Sequence, residues 1–172
     1  MGTEILCAEG ALTVRRFREG DLPALAALLA DPEVMRWLEP PFDRARAAEF
    51  LRTAGLSEPP LIYAAEEDGA FLGYVIFHRY GGEDAAELGW VLRRSAWGRG
   101  YAGRLTALLL SAAEGKWAEA VIECAPEQRA SARVAERLGF REEGMADGCR
   151  VFRRAVPREE HEKPVRARHG RS

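Results

Sequence analysis

Apolar residues in the first third of the chain are spaced as on amphipathic helices. A repeat of three and four positions places four leucines on one helical face: Leu22, Leu25, Leu28 and Leu29. Asp21 is the expected N-cap of this helix, with Pro23 in its first turn. Asp31-Pro32 repeats the signal and predicts a short second helix that ends at Leu38, and Asp43 would cap a third helix.

The middle of the chain changes to the pattern of strands. Runs rich in β-branched, aromatic and other apolar residues predict strands at 12–17, 61–65, 71–80 and 86–92. The last three runs are separated by short turn signals, Asp68-Gly69 and the stretch 81–84. These three strands should therefore form an antiparallel meander.

The remainder of the chain alternates between the two patterns. Apolar residues between Leu105 and Ala112 recur at helical spacing. The elements expected from this point are a helix that ends near Glu114, a strand at 121–124, a helix at 131–138 with Gly139 as its C-cap, and a strand at 149–155.

Composition places the chain among globular proteins. Of its 172 residues 47% are apolar and 30% are charged, and the formal charge is −2, so we expect one domain with its own core and no nucleic-acid partner. There is no apolar run of membrane-spanning length and no basic signal-peptide start, so we expect a cytoplasmic protein. We expect the domain to span 1–156 and the charged segment 157–172 to be a disordered tail.

The cysteines and histidines suggest neither a disulfide framework nor a metal site. Cys7, Cys124 and Cys149 lie far apart without a CxxC pair, and no histidine has a partner at metal-ligand spacing. Cys124 is flanked by apolar strand residues and should be a buried structural thiol.

Three glycines stand directly before the predicted helix of the second half. Gly98, Gly100 and Gly103 remove Cβ atoms that would keep a ligand from the backbone, and a helix N-terminus offers unpaired N–H groups, so this segment is a candidate phosphate site. The GxGxxG spacing, with Glu123 twenty residues later, also fits a dinucleotide fingerprint. Five residues, starting at Arg93, separate the first glycine from its strand, and the preceding strands look antiparallel. Both features argue against the dinucleotide interpretation.

Three segments, in their order along the chain, resemble the GNAT acetyltransferase superfamily. Residues 97–102, Trp-Gly-Arg-Gly-Tyr-Ala, are similar to its pyrophosphate loop, with Trp97 where a Gln or Arg is usual. Residues 31–38 and 131–144 look like the acceptor-cleft segment and the C-terminal helix of the branch that contains ribosomal-protein N-terminal acetyltransferases. The resemblance covers about residues 12–155. It implies an α/β (α+β) fold with a mixed, mostly antiparallel, twisted sheet flanked by helices.

The resemblance also implies that acetyl-CoA is the co-substrate. Its pantetheine arm would pair with the backbone of Val91 and Leu92, and the Leu92 N–H would polarise the thioester carbonyl. Gln128 stands where the family contacts pantetheine, and Ser131 would contact the cofactor or cap its own helix. The other residues expected to bind the cofactor are those of the glycine segment: Trp97, Gly98, Arg99, Gly100, Tyr101, Ala102 and Gly103.

Two glutamates are candidates for the base that deprotonates an amine. Glu87 shares a strand face with Val91, and Glu123 ends the next strand. In the family the two corresponding strands separate around the reactive end of the cofactor, so either carboxylate would be near the reaction, and the sequence leaves the choice open. The tyrosine that acts as general acid in many members is replaced by Ala135, and Ser131 remains as a hydrogen-bonding group for catalysis.

These features imply direct acetyl transfer to a primary amine. Trp37, Phe42 and the strand 71–78 should select the acceptor, which would be a protein N-terminus or a small amine. The alternatives are a catalytically silent acyl-CoA-binding module and a dinucleotide-binding protein. The oligomeric state stays open, dimers being common in the family.

Overall fold

Eight strands form one sheet in the computed structural model of this protein, which describes residues 4–157. The strands are β1 Ile5–Glu9, β2 Leu12–Arg15, β3 Ile62–Glu67, β4 Ala70–Arg79, β5 Ala85–Leu92, β6 Glu119–Cys124, β7 Arg141–Ala146 and β8 Cys149–Ala155. They lie side by side in the order β1-β2-β3-β4-β5-β6-β8-β7. Every neighbouring pair is antiparallel except β5 and β6, which are parallel.

Helices flank this sheet, as the sequence predicts. They are α1 Leu22–Ala30, α2 Pro32–Met35, α3 Arg44–Phe50, α4 Tyr101–Ala113 and α5 Arg129–Arg137. A π-helical turn, Leu51–Gly55, extends α3, and 3-10 turns at Glu19–Asp21 and Arg94–Ala96 precede α1 and follow β5. Within residues 4–157 no helix has the length and apolarity needed to span a bilayer.

Each face of the sheet has its own core. On one face Leu109 of α4 shares a cluster with Leu88 of β5. On the other face Leu25 of α1 shares a cluster with Tyr74 of β4 and Val91 of β5. Because successive residues of a strand point to opposite faces, alternate residues of β5 belong to different cores.

The parallel pair is short, and this decides where a ligand can enter. The register joins Ala85–Glu87 of β5 to Glu119–Val121 of β6, and the described sheet contains no pair further along these two strands. The second half of β5 therefore has an edge that faces no strand. We call the space between this half of β5 and the end of β6 the β5–β6 gap.

Gly73 lets β4 lie against the far end of β5. Its φ is +148°, and a Cβ at this position would lie 2.0 Å from the carbonyl oxygen of Val91. The register of β4 against β3 shifts beside it, between Ala65 and Glu66, as at a β-bulge. Only glycine permits this approach, so Gly73 fixes the position of the β5 edge.

Arg15 anchors the chain between β2 and α1. Its side chain is 4% exposed, and it donates to both carboxylate oxygens of Asp21, at 2.8 and 2.9 Å, and to Glu66 at 3.0 Å. A buried guanidinium needs such partners, so this cluster fixes the start of the α1–α3 layer against β3.

Some boundaries differ from the sequence prediction. The edge strands β1 and β7 were not predicted, because β7 presents five exposed residues in succession and has no apolar alternation. The second helix ends at Met35 and not at Leu38, since the Leu38 N–H bonds to the Met35 carbonyl three residues back and closes a turn. The predicted tail beyond Pro157 lies outside the described residues.

Candidate active site

The start of α4 presents a run of free backbone N–H groups. Within the described chain the N–H groups of Gly98–Gly103 have no hydrogen-bond acceptor, and the intrahelical bonds resume with Arg104 N–H to the Gly100 carbonyl. Gly98 and Gly100 have φ of +69° and +79°, which turn the backbone left-handed ahead of the helix. A Cβ at Gly98, Gly100 or Gly103 would meet no atom within 4 Å, so this surface is open. The arrangement fits a bound phosphate or pyrophosphate.

Side chains hold this helix start against the β3–β4 turn. The Tyr101 hydroxyl donates to Glu67 at 2.7 Å, and Arg104 also contacts Glu67, at 3.3 Å. The Arg99 guanidinium lies 5.4 Å from the centroid of the Tyr101 ring. The Tyr101 ring is therefore an anchor, and only its backbone belongs to the open surface.

Along β5 the backbone N–H and C=O groups of successive residues point alternately toward β4 and away from it. This alternation determines which backbone groups face the β5–β6 gap. The Tyr80 N–H donates to Ala85 and the Arg93 N–H donates to Leu72, each at 2.8 Å, and the register between them has no bulge. Odd-numbered residues of β5, including Val91, thus direct N–H and C=O toward β4. Trp90 and Leu92 direct theirs toward the β5–β6 gap.

Trp97 occupies one of these backbone groups with a hydrogen bond. Its indole N–H donates to the Leu92 carbonyl at 2.8 Å, while about half of its side chain stays exposed. Trp97 thereby ties the glycine segment to the end of β5. Of the Leu92 backbone, the N–H is left directed at the gap.

A cavity of about 390 Å³ lies on the other side of β5, beneath the first three helices. We call it the α1–α3 cavity. Its lining is mostly apolar and consists of Leu29, Met35, Leu38, Glu39, Phe42, Phe50, Ala54, Leu61, Ile62, Tyr74, Ile76, His78, Glu87 and Val91. The predicted residues Glu87 and Phe42 are thus brought together. Trp37 is absent from this lining; its side chain is 42% exposed, with the Arg36 guanidinium 4.7 Å from its ring centroid.

His78 and Glu87 form a cross-strand pair in this cavity. His78 Nε2 lies 3.2 Å from a Glu87 carboxylate oxygen, and His78 Nδ1 lies 2.7 Å from the Arg79 carbonyl oxygen. Since a carbonyl only accepts, Nδ1 carries a proton, and the Nε2 contact to the carboxylate then requires a second shared proton. The hydrogen bond to Glu87 accordingly raises the pKa of His78 above its ordinary value.

Glu123 lies on the same face of the sheet but has a different partner. The Tyr80 hydroxyl donates to a Glu123 oxygen at 2.6 Å, which raises the pKa of Tyr80 to about 12. Glu123 lies two residues beyond Val121, the last β6 residue paired with β5. It is outside the lining of the α1–α3 cavity.

The corner between β6 and α5 holds the remaining predicted residues. The Gln128 side-chain oxygen accepts from the Ala125 N–H at 2.9 Å, so this side chain shapes the corner. Gln128 is also the N-cap residue of α5. Ser131 therefore lies in the first turn, and its interpretation as an N-cap was wrong. Ala135 is fully buried.

A salt bridge connects the two sides of the site. Arg94, in the turn after β5, donates to Asp31 at 2.7 Å, and Asp31 also accepts from the Glu33 N–H at the start of α2. Burial opposes the charge of Asp31, but these hydrogen bonds hold its pKa below the ordinary value. The cavity wall and the segment leading to the glycines are therefore linked.

Sequence reasoning assigned the strand 71–78 to the acceptor, but it missed the role of Tyr80 and the pairing of His78 with Glu87. Tyr74 and His78 occupy even positions of β4, and Tyr80, the residue directly after this strand, continues the same alternation. This alternation was visible in the sequence, but the contact of His78 with Glu87 depends on the register between β4 and β5. Among residues 4–157 no group of three or more His, Cys, Asp or Glu side chains is placed to hold a metal.

Comparison with known proteins identifies the domain. Residues 11–141 match the family model described as acetyltransferase (GNAT) domain. The chain belongs to the GNAT acetyltransferase family. The uncharacterized N-acetyltransferase YnaD of Bacillus subtilis (strain 168) is 27% identical to this GNAT chain over 142 residues, which are 80% of this chain and 84% of that protein.

Two solved structures share the GNAT fold of this chain. The Salmonella typhimurium acetyltransferase that modifies the N-terminal serine of ribosomal protein L7/L12 has a TM-score of 0.76 and 22% identity, covering 90% of this chain and 100% of that one. Spermidine N-acetyltransferase from Vibrio cholerae was solved with CoA and spermine. It has a TM-score of 0.72 and 18% identity, covering 85% of this chain and 96% of that one. The predicted superfamily resemblance is confirmed, and the chain is an acyltransferase of this family.

Proposed function

We propose that this GNAT enzyme transfers an acetyl group from acetyl-CoA to a primary amine bound in the α1–α3 cavity. One observation carries the proposal: the free N–H groups of Gly98–Gly103 and the carboxylate of Glu87 stand at opposite ends of the unpaired edge of β5. A donor held by its pyrophosphate at the glycines and extended along this edge would present its thioester beside the cavity. The Vibrio cholerae relative, which was solved with CoA, supports this choice of donor.

The donor arm would pair with Trp90 and Leu92. The N–H and C=O of Val91 point toward β4 and are not available to the donor arm. Val91 contributes to the site through its side chain, which lines the cavity. The Leu92 N–H would donate to the thioester carbonyl oxygen and stabilise the negative charge that develops on it. This assignment keeps Leu92 in its predicted role and replaces the backbone of Val91 with that of Trp90.

Glu87 is the base that the cavity favours. The amine nitrogen attacks the thioester carbon, the C–N bond forms, and the ammonium proton passes to the Glu87 carboxylate. The C–S bond then breaks and the sulfur leaves as a thiolate; the thiolate takes up a proton from solvent, and Glu87 returns its proton to solvent. Glu123 is the second candidate, but it lies outside the lining of the cavity in which the amine is proposed to bind.

Direct transfer fits the state of the cysteines. Burial raises the pKa of Cys124 and of Cys149, and it raises the pKa of Cys7 to about 11. A nucleophilic cysteine works as a thiolate, which these environments disfavour. No acetylated cysteine is therefore needed as an intermediate.

The test is release of the CoA thiol from acetyl-CoA in the presence of amines. Glu87→Gln should lower kcat by about 100-fold or more, whereas Glu123→Gln should lower it much less. Glu9→Gln, on the exposed edge strand β1, is the control and should have wild-type activity. Acetyl-CoA binding without thiol release for any amine would reject the enzyme. A larger loss in Glu123→Gln than in Glu87→Gln would make Glu123 the base.

A further inference from the structure

The α1–α3 cavity offers few polar groups to an acceptor amine. Two carboxylates, a histidine and a tyrosine hydroxyl are its polar side-chain groups, and the rest of the lining is apolar. The two acids already have partners: Glu39 pairs with Arg46 at 3.1 Å, and Glu87 pairs with His78 at 3.2 Å. Glu87 is the proposed base for one amine, so a second positive charge on the ligand would find only Glu39, which Arg46 already neutralises.

The fourth polar residue, Tyr74, has no such partner. Its side chain is 6% exposed, its ring packs against Phe50 with 5.7 Å between centroids, and its hydroxyl has no hydrogen-bond partner in residues 4–157. Within residues 4–157 every side-chain nitrogen or oxygen that is fully buried has a hydrogen-bond partner. An oxygen without a partner, such as that of Tyr74, is therefore not fully buried. The Tyr74 hydroxyl therefore opens into the cavity that the residue lines.

Burial also fixes the protonation state of Tyr74. It raises the pKa of this phenol well above the ordinary value, so the hydroxyl keeps its proton and can donate. A ligand that fills the cavity without a hydrogen-bond acceptor would leave this hydroxyl unpaired. A ligand that carries one would satisfy it.

These features disfavour two kinds of acceptor. With one amine at Glu87, a polyamine would place its second ammonium group against apolar walls or against Glu39, which already pairs with Arg46. A peptide N-terminus would bring backbone N–H and C=O groups that need partners, and Tyr74 supplies a single donor.

We propose that the acceptor is a primary monoamine with a compact apolar body that carries one hydrogen-bond acceptor, and that Tyr74 selects it. This inference rests on the proposed acetyl transfer and assigns the substrate class of the same site. The reaction is the one written above, with the amine at Glu87 and the apolar body among residues such as Phe42 and Phe50. Tyr74 binds the body of the substrate and takes no part in the proton transfer.

The test uses the full chain, acetyl-CoA and four acceptors: tyramine, 2-phenylethylamine, spermidine and a tetrapeptide with N-terminal serine. Tyramine should exceed spermidine and the tetrapeptide in kcat/KM by about tenfold or more. In Tyr74→Phe the KM for tyramine should rise about fivefold, with kcat unchanged and 2-phenylethylamine little affected. Tyr63→Phe is the matched control because Tyr63 is buried in the opposite core of the same sheet. It should leave every KM unchanged.

The outcomes separate this inference from the proposed function. Preference for spermidine or for the tetrapeptide would overturn the assigned class and leave acetyl transfer standing. An equal effect of Tyr74→Phe on both aromatic amines would overturn the selecting role of the hydroxyl. Absence of thiol release with all four amines, together with bound acetyl-CoA, would reject the proposed function itself.

Discussion

The indole N–H of Trp97 and the carbonyl oxygen of Leu92 are joined by a hydrogen bond of 2.8 Å. This bond satisfies the carbonyl that β5 would otherwise direct at the β5–β6 gap, and it holds the glycine segment beside the strand. In the family the first position of this loop is usually Gln or Arg. Here an aromatic N–H links the loop to the strand.

Trp97→Phe keeps the ring and removes this donor. We expect the KM for acetyl-CoA to rise about fivefold, because a net hydrogen bond contributes about 1 kcal/mol and the loop loses its tie to β5. Steady-state kinetics with varied acetyl-CoA would measure the change. Trp37→Phe is the control, since Trp37 is exposed and outside the cavity lining. An unchanged KM in Trp97→Phe would show that the bond does not position the loop.

Gly103→Ala should separate stability from binding. Gly103 lies in the first turn of α4 and a Cβ there meets nothing within 4 Å, so alanine should stabilise the helix by up to about 1 kcal/mol. The same methyl group would stand where the pyrophosphate is proposed to bind, so CoA affinity should fall. Thermal unfolding and a CoA titration would measure both effects. Ser111→Ala, on the exposed side of α4, should affect stability only. Undiminished CoA affinity in Gly103→Ala would place the pyrophosphate elsewhere.

The sequence predicted best what depends on local spacing. Periodicity correctly placed the leucines of α1 and α4 and the meander of β3 to β5. The glycine segment was identified from its sequence motif. The sequence did not predict β7, which exists because β8 pairs with it. The contact between His78 and Glu87 likewise depends on a register that no local pattern specifies. The cytoplasmic location and the tail stay predictions, and the oligomeric state stays open.

Asp21 should make the fold sensitive to acid. Burial alone would raise its pKa, but hydrogen bonds from Arg15 and from the Arg18 N–H hold it below the ordinary value of 3.8. A lowered folded pKa means that the stabilisation is present above 3.8 and is lost as the pH falls through the folded value. Asp21→Asn should lower the free energy of unfolding by about 3 kcal/mol near neutral pH, because the buried Arg15 guanidinium loses a carboxylate partner. The free energy of unfolding should then depend less on pH in the acid range than it does in the wild type.

Denaturant unfolding at several pH values would measure this effect. Asp43→Asn is the matched control because Asp43 caps α3 by accepting from the Arg46 N–H, a role that asparagine also fills. Its unfolding free energy should stay near that of the wild type. An equal loss in the two variants at neutral pH would contradict the role assigned to the buried pair.

Protonated His78 should stabilise the fold through its contact with Glu87. The hydrogen bond that the His78 ring donates to Glu87 raises the pKa of His78 above 6.5, whereas burial acts to lower it. A raised folded pKa means that the stabilisation is fully present below 6.5 and is lost as the pH rises through the folded value.

In Glu87→Gln the opposing effect of burial remains without the carboxylate, so the imidazole should titrate below its wild-type value. An NMR titration of the His78 ring would measure both values, with His78→Gln identifying the signal. The melting temperatures of wild type and Glu87→Gln should differ more at pH about 6 than at pH about 9, where His78 is neutral in both. A wild-type His78 that titrates at or below its ordinary value would contradict the pairing, and Glu87 would then face the amine without a cationic neighbour.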